Sequence, residues 1–348
     1  MRRMLAVTAL IGLSLAADAS TLSWRNDPGP GPLVAADQQR PSLLYFTASW
    51  CAPCRLVERE VLEHPDGQAE LAHFDLIRID LDSEAGQRLS DRFRVATVPT
   101  FVVLDASGEE IDRTRGYRSR RLLLRDLERC RLGRGTRGDL ERRLSERPDD
   151  AALQVALGLR YVERIELDTA ERLLASGLGD LAALGDTLVG EGGRALATLH
   201  RQRGEVDRAI AVLDRVLADR PDHLYARATW QLLATCHADR GDPLAEARAL
   251  RGAARVAPPR PPSLLAFAEA AARADWSLTE AEAAAREAIE LTGGDDPAAK
   301  AALAAVLRRQ QRFPEALKWI RRAVAQAPDD TRWHERWEGI RAAAVRGR

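Results

Sequence analysis

Two cysteines separated by two residues are the part of this 348-residue sequence best suited to chemistry. Cys51 and Cys54 enclose Ala52-Pro53 and follow a short apolar run that predicts a buried strand. A helix is predicted to open at the pair, since Pro53 fits a first turn, where no backbone donor is lost. A cysteine in that place lies among unpaired N–H groups at the positive end of the helix dipole, and both favour the thiolate. The pattern therefore predicts a reactive dithiol.

Zinc binding and a structural disulfide are the alternative uses of this pair. Structural zinc needs four ligands, but Cys130 and Cys236 are distant in sequence and the six histidines form no paired motif. A structural Cys51–Cys54 disulfide would close a very short and therefore labile loop. Cys130 and Cys236 fall on apolar faces of predicted helices, where a free cysteine packs as a small hydrophobic residue. A bridge between those two is the other possibility. We predict no metal and no cofactor.

The elements that position the pair are those of an α/β domain, predicted over residues 41–132. Short apolar runs of strand length alternate there with amphipathic segments of helical spacing. This order predicts a mixed sheet flanked by helices. Strands are predicted at 43–46, 74–82, 101–104 and around residue 111, and helices at 56–62, 85–93 and 118–130.

A second domain is predicted over residues 139–348, where the sequence is rich in Ala, Leu, Arg and Glu and recurrent in pattern. Small and large residues recur at the spacing of tetratricopeptide (TPR) helix pairs, in which small side chains let two helices approach closely. This pattern predicts an all-α solenoid of four or five TPR-like repeats, with a non-repetitive helical bundle as the alternative. The anchor alanines are Ala170, Ala209, Ala247, Ala281 and Ala316.

The start of the chain has the pattern of an export signal. Arg2 and Arg3 precede the apolar segment 4–16, and Ala17-Asp18-Ala19 offers a small-x-small cleavage site. We expect a signal peptide over residues 1–19, cleavage after Ala19, and a periplasmic mature protein without stable membrane insertion. An uncleaved start of a cytosolic protein is the alternative. A Pro/Gly-rich linker is predicted over residues 20–40.

Overall composition narrows the class of partner. The chain is 45% hydrophobic and 30% charged, which predicts a folded protein. Lys plus Arg and Asp plus Glu both number 52, so the net charge is zero. Phosphate binding needs a positive surplus, and we therefore expect no nucleic-acid partner.

Residues from about 42 to 132 resemble the thioredoxin family, most closely its exported members and the periplasmic reductase domain of DsbD. The segment Trp50-Cys51-Ala52-Pro53-Cys54 is similar to the family's active-site motif, and Val98-Pro99-Thr100 to its second motif. The resemblance implies Cys51 as nucleophile, Cys54 as resolving cysteine and Pro99 as a cis-proline beside the sulfurs. It also implies that Trp50 belongs to the site and that Val98, Ala52 and Pro53 contact substrate.

One position departs from the family pattern. Cytosolic thioredoxins carry a buried Asp that relays protons to the resolving cysteine, and Tyr45 stands at the matching place here. Either another group, such as Glu58, or solvent would then carry the proton. We further expect a cis Val98–Pro99 bond and a Cys51 that is more exposed than Cys54.

The resemblance implies thiol–disulfide exchange with protein substrates that contain disulfides or dithiols. We expect a reductase supplied by an electron-donor protein, because the Ala-Pro dipeptide favours the reducing half of the family's range. The repeats would recruit a protein partner. The alternative function is a redox-switched binding, scaffold or holdase protein with little catalytic turnover.

Overall fold

The computed structural model describes residues 22–26, 28, 33–34, 40–117 and 119–346. The chain divides into two compact units, Met1–Arg134 and Gly135–Arg348. The signal peptide predicted over residues 1–19 lies outside the described residues. In the described part of the chain, no helix combines the length and the apolar character needed to cross a membrane.

A five-stranded mixed sheet forms the centre of the first unit. The strands are β1 (Trp24–Asn26), β2 (Ser42–Thr47), β3 (Asp75–Asp80), β4 (Thr100–Leu104) and β5 (Glu110–Arg115). Their order across the sheet is β1-β3-β2-β4-β5. Strands β1 and β2 run parallel to β3, whereas β4 runs antiparallel to both β2 and β5. The mixed sheet expected from the sequence is therefore confirmed.

Helices cover both faces of this sheet. They are α1 (Ala52–Val57), α2 (Pro65–Leu71), α3 (Glu84–Phe93) and α4 (Arg120–Leu132), and α1 continues into a π-helical turn, Glu58–Leu62. Every residue of the central strand β2 is buried, because its side chains alternate between two apolar layers. Tyr45 faces the layer filled by α1, α2 and α4, whereas Phe46 faces the layer that Phe93 of α3 completes.

The linker predicted over residues 20–40 is wrong for its first part. Trp24 pairs with Leu76 in parallel register, so β1 is the edge strand of the sheet. The Trp24 ring meets Tyr45 edge-on at 6.1 Å, and Leu22 packs against the same core. Burial of these apolar side chains holds the segment on the sheet, and the Pro/Gly run begins only after it. The linker prediction extended the character of that run over the whole segment.

The second unit consists of helices throughout its described residues. The helices are α5 (Arg137–Glu146), α6 (Ala151–Glu163), α7 (Leu167–Gly177), α8 (Asp186–Gln202), α9 (Val206–Asp219), α10 (Ala226–Asp239), α11 (Pro243–Arg255), α12 (Pro261–Ala274), α13 (Leu278–Leu291), α14 (Pro297–Arg309), α15 (Phe313–Gln326) and α16 (Thr331–Arg346), with a short 3₁₀ turn at Leu181–Ala183. In this described region, five consecutive pairs pack closely, from α6–α7 to α14–α15.

The predicted anchor alanines all lie on the second helix of a pair. All five are fully buried, which places the repeat pattern at the contact between paired helices. The small residues are required for close packing: a Cβ added to Gly158 of α6 would lie 2.8 Å from Leu174 of α7. The structure therefore settles the repeat number as five pairs among the described residues, followed by α16.

Candidate active site

The cysteine pair lies where β2 gives way to α1. β2 ends at Thr47, and Cys51 is the N-cap residue of α1. The two cysteines form a disulfide, and the Cys54 backbone N–H donates to Sγ of Cys51 over 3.1 Å. Pro53 lies in the first turn of α1, a position that suits proline because backbone N–H groups there have no acceptor within the helix. In the reduced form, the same N–H group and the helix dipole would stabilise a thiolate at Cys51.

Cys51 is the more exposed of the two cysteines, as predicted, but the difference is small. Cys51 is 3% exposed and Cys54 1% exposed, so both are buried. The disulfide directs Sγ of Cys51 toward Cys54, and the pair packs with Ala48, Leu81 and Val98. The local sequence around the cysteines does not indicate this packing, because Leu81 and Val98 come from loops that are distant in sequence.

The motif around the cysteines provides the exposed surface of the site. Trp50 is 63% exposed, and its indole N–H donates to Asp82 over 3.1 Å. Ala52 and Pro53, which lie between the two cysteines in sequence, are also exposed to solvent. The structure thus brings the residues of this motif together at the entrance to α1.

The second motif lies beside the pair although it is more distant in sequence. The Val98–Pro99 peptide bond is cis, the geometry implied by the family resemblance. Val98 is half-buried and packs against the cysteine cluster. Pro99 is buried, and its carbonyl accepts a hydrogen bond from the Gly116 N–H over 2.7 Å. This arrangement fixes the loop before β4 against the disulfide.

A cavity of about 450 Å³ reaches Cys54 from the side. Glu58, the first residue of the π-helical turn, lines it and forms an ion pair with Arg78 of β3. Asp80 and Asn26 complete its polar wall. Glu58 was predicted from the sequence as a group near the pair, whereas Arg78 was not. The sequence did carry a signal for Arg78, because it is the one basic residue in the predicted strand 74–82 and lies two residues before Asp80.

Tyr45 occupies the place where cytosolic thioredoxins have an acid, but its environment suits a structural role. Its ring stacks on Phe101 at 4.7 Å, and its hydroxyl donates to the Cys54 carbonyl over 3.4 Å. Burial raises the pKa of Tyr45 above its ordinary value near 10, despite the opposing charge of Arg78. The hydroxyl therefore keeps its proton near neutral pH.

The two remaining cysteines, Cys130 and Cys236, are buried, and neither is part of a disulfide. Cys130 lies in the core between the sheet and α4, and Cys236 lies in the core of the second unit. Burial also raises the pKa of the Cys236 thiol, which makes its thiolate scarce. The packing role predicted for both agrees with these environments, and the alternative bridge between them is absent.

Comparison with family models assigns both units. Residues 33–129 match the model of a thioredoxin-like domain, and residues 194–225 and 297–337 match models of the tetratricopeptide repeat. The first unit is accordingly a thioredoxin-like disulfide oxidoreductase domain, and the second is built from TPR helix pairs.

Individual relatives agree with that class. The chain is 32% identical over 89 residues to an H-type thioredoxin of Fagopyrum esculentum, covering 72% of that protein and 26% of this chain. This chain belongs to the thioredoxin family.

Two further comparisons concern a longer relative and a solved structure. The thiol:disulfide interchange protein DsbD 1 of Pseudomonas aeruginosa is 35% identical over 94 residues, or 25% of this chain. The match spans only 16% of that relative's length. The solution structure of a thioredoxin from Thermus thermophilus is 33% identical and matches 31% of this chain and 87% of its own, with a TM-score of 0.28.

Proposed function

We propose that this protein is an exported, periplasmic reductase of protein disulfides, and that its TPR unit recruits a protein partner. The observation that carries the proposal is the Cys51–Cys54 disulfide at the N-terminus of α1, with Sγ of Cys51 accepting the Cys54 N–H group. That hydrogen bond and the helix dipole favour the thiolate that thiol exchange requires.

The reaction is a two-electron exchange. The Cys51 thiolate attacks one sulfur of a substrate disulfide, forming a mixed disulfide and releasing the other substrate sulfur as a thiolate. Cys54 then loses its proton and attacks Sγ of Cys51, which breaks the mixed disulfide and releases the second substrate sulfur. The substrate gains two electrons and, after protonation, two protons, and the enzyme keeps the Cys51–Cys54 disulfide. A dithiol of an electron-donor protein reverses these steps on the enzyme.

The substrate-side surface consists of residues already described around the disulfide. We assign substrate contact to Val98, Ala52 and Pro53, because the last two are exposed and Val98 packs directly beside the sulfurs. Trp50 extends this surface toward solvent. Pro99 holds Val98 in place through the buried loop that precedes β4.

Glu58 is the group that we assign to the Cys54 proton. It lines the same cavity as Cys54 and is held there by Arg78. Tyr45 is unsuitable, because its hydroxyl is bound to the Cys54 carbonyl and burial raises its pKa. The position of Glu58 in the π-helical turn supports this role, since such turns occur frequently at functional sites.

The reduction potential of the pair tests the proposed direction. We expect a value near that of thioredoxin, about −270 mV, and not near that of DsbA, about −120 mV. The potential is measured on the full chain by thiol trapping across dithiothreitol and glutathione buffers, with Cys51→Ser as the control that has no titrating pair. A value near −120 mV would indicate an oxidase. A pair that does not titrate would favour a binding or holdase protein.

Export is tested separately from the chemistry. The apolar segment 4–16 and the cleavage site at Ala17-Asp18-Ala19 support it. The mass of the protein recovered from the periplasmic fraction of an expressing bacterium is expected to correspond to a chain that begins at Ser20. Recovery of the uncleaved chain from the cytosol alone would contradict the proposed location.

A further inference from the structure

A polar pocket lies among the last helices of the TPR unit. It has a volume of about 540 Å³ and is lined by α12, α14 and α16, which alternate with the helices that carry the anchor alanines. Five of its lining residues are arginines, Arg273, Arg308, Arg309, Arg332 and Arg336, and two are glutamates, Glu269 and Glu335. Its size is within the range of ordinary ligand sites.

The pocket has fewer carboxylates than guanidinium groups. Arg336 pairs with Glu269 at 3.1 Å, which satisfies one of the two lining carboxylates. Arg273 and Arg332 pair with carboxylates outside the lining, those of Glu246 and Asp330. Two guanidinium groups, those of Arg308 and Arg309, are left without a carboxylate in the described part of the chain.

These two arginines are held in place by different means. Arg309 donates to the backbone carbonyl oxygens of Ala272 and Arg273, at 2.8 and 3.4 Å, which fixes its side chain at the end of α12. Arg308 is half-buried and has no hydrogen-bond acceptor among the described residues. Burial and the positive charges of Arg309 and Arg336 lower the pKa of Arg308. An anionic group in the pocket would relieve this crowding of charge.

We infer that this arginine pocket binds an acidic peptide segment of a partner protein. Guanidinium groups bind carboxylates through paired N–H donors, so Arg308 and Arg309 suit Asp or Glu side chains. Glu335, whose carboxylate forms no ion pair among the described residues, provides an acceptor for peptide N–H groups. Inorganic phosphate has no peptide N–H groups to offer Glu335, and the negative charge of this carboxylate would repel it. The inference deepens the proposed function, because it rests on the TPR unit recruiting a protein.

Peptide binding to the full chain tests the inference. A short labelled peptide rich in Asp and Glu is titrated by fluorescence anisotropy, beside its counterpart with Asn and Gln. We expect only the acidic peptide to bind, and Arg308→Gln to weaken its binding about tenfold, the size of one lost charge-assisted hydrogen bond. Arg321→Gln is the matched control, because this exposed arginine on α15 lies outside the pocket and its loss changes the net charge equally. The control is expected to stay within about twofold.

Two more variants separate the possible outcomes. Arg308→Lys keeps the charge but not the paired donors, so intermediate affinity supports recognition by the guanidinium group and also covers the case in which Arg308→Gln fails to fold. Cys51→Ser is expected to bind like the wild type, so that loss of thiol exchange and loss of the pocket remain distinguishable. Absent binding of the acidic peptide, equal losses in Arg308→Gln and Arg321→Gln, or displacement of the peptide by an equal concentration of inorganic phosphate would each overturn the inference.

Discussion

Among single residues, the site departs from the thioredoxin pattern through the pair Glu58 and Arg78. Tyr45 takes the place of an acid and instead supports the first turn of α1 through the Cys54 carbonyl. Glu58, in the π-helical turn, lines the cavity that also contains Cys54. Its ion pair with Arg78 offsets part of the free-energy cost of placing a carboxylate beside the apolar core. The departure therefore moves the acidic group to another element.

Replacement of this carboxylate tests its assigned role. Glu58→Gln keeps the shape but cannot take a proton from Cys54, so resolution of the mixed disulfide is expected to slow by about 10²-fold near neutral pH. Stopped-flow fluorescence of a labelled mixed disulfide, followed as a function of pH, measures the step. Glu63→Gln, at an exposed position in the same region, is the control and is expected to be unchanged. A Glu58→Gln profile that overlies the wild-type profile would exclude Glu58 as the proton acceptor.

Among the elements, those with a local signal were predictable and those set by tertiary contacts were not. Short continuous apolar runs predicted β2 and β4, and Pro53 predicted the start of α1. β1 is three residues long and exists only because Trp24 pairs with β3, so composition alone indicated a linker. Burial of Cys51 was likewise missed, because its neighbours Leu81 and Val98 come from other loops. The cis Val98–Pro99 geometry followed from the family resemblance.

Close packing within a helix pair gives a prediction about stability. A Cβ added to Gly177 of α7 would lie 2.7 Å from the Ala151 carbonyl oxygen and 3.0 Å from the Val155 nitrogen, and backbone atoms cannot move aside cheaply. Gly177→Ala is therefore expected to destabilise the protein by about 1–3 kcal/mol. Gly339→Ala, in the middle of α16 with open space around it, is expected to stabilise by about 0.5–1 kcal/mol. Urea denaturation followed by circular dichroism compares the two, and equal effects would contradict the packing argument.

The turn between α9 and α10 gives a prediction about pH. Nδ1 of His223 accepts the Tyr225 N–H over 3.1 Å, which requires the neutral ring, and burial lowers the pKa of His223. Below about pH 6.5 the unfolded chain binds a proton that the folded chain resists, so the free energy of unfolding falls as the pH drops. His223→Gln is expected to flatten this dependence in urea denaturation between about pH 7 and 5. The exposed His73→Gln is the control, and a matching change in that variant would contradict the assignment to His223.

For the whole molecule, chemistry and recognition are assigned to different units. The disulfide, Glu58 and the cis-proline loop all belong to the first unit, and the arginine pocket belongs entirely to the second. Because the net charge is zero, the chain as a whole has no surplus positive charge to attract anions, and we expect recognition of an acidic segment to depend on the arginine pocket itself. Variants at the disulfide in the first unit are therefore expected to change kcat, and variants at the arginine pocket in the second unit to change KM for substrates with an acidic segment.

A model disulfide peptide joined to an acidic segment by a flexible linker separates the two tasks. In the wild type, the acidic extension is expected to lower KM about tenfold without changing kcat, because binding at the pocket raises the local concentration of the disulfide. Arg308→Gln is expected to remove that gain while keeping the wild-type kcat, whereas Cys51→Ser abolishes turnover for both substrates. Steady-state reduction assays with and without the extension give these values. If Arg308→Gln instead lowered kcat for the peptide without an extension, recognition and chemistry would share a step, and the assignment to separate units would be wrong.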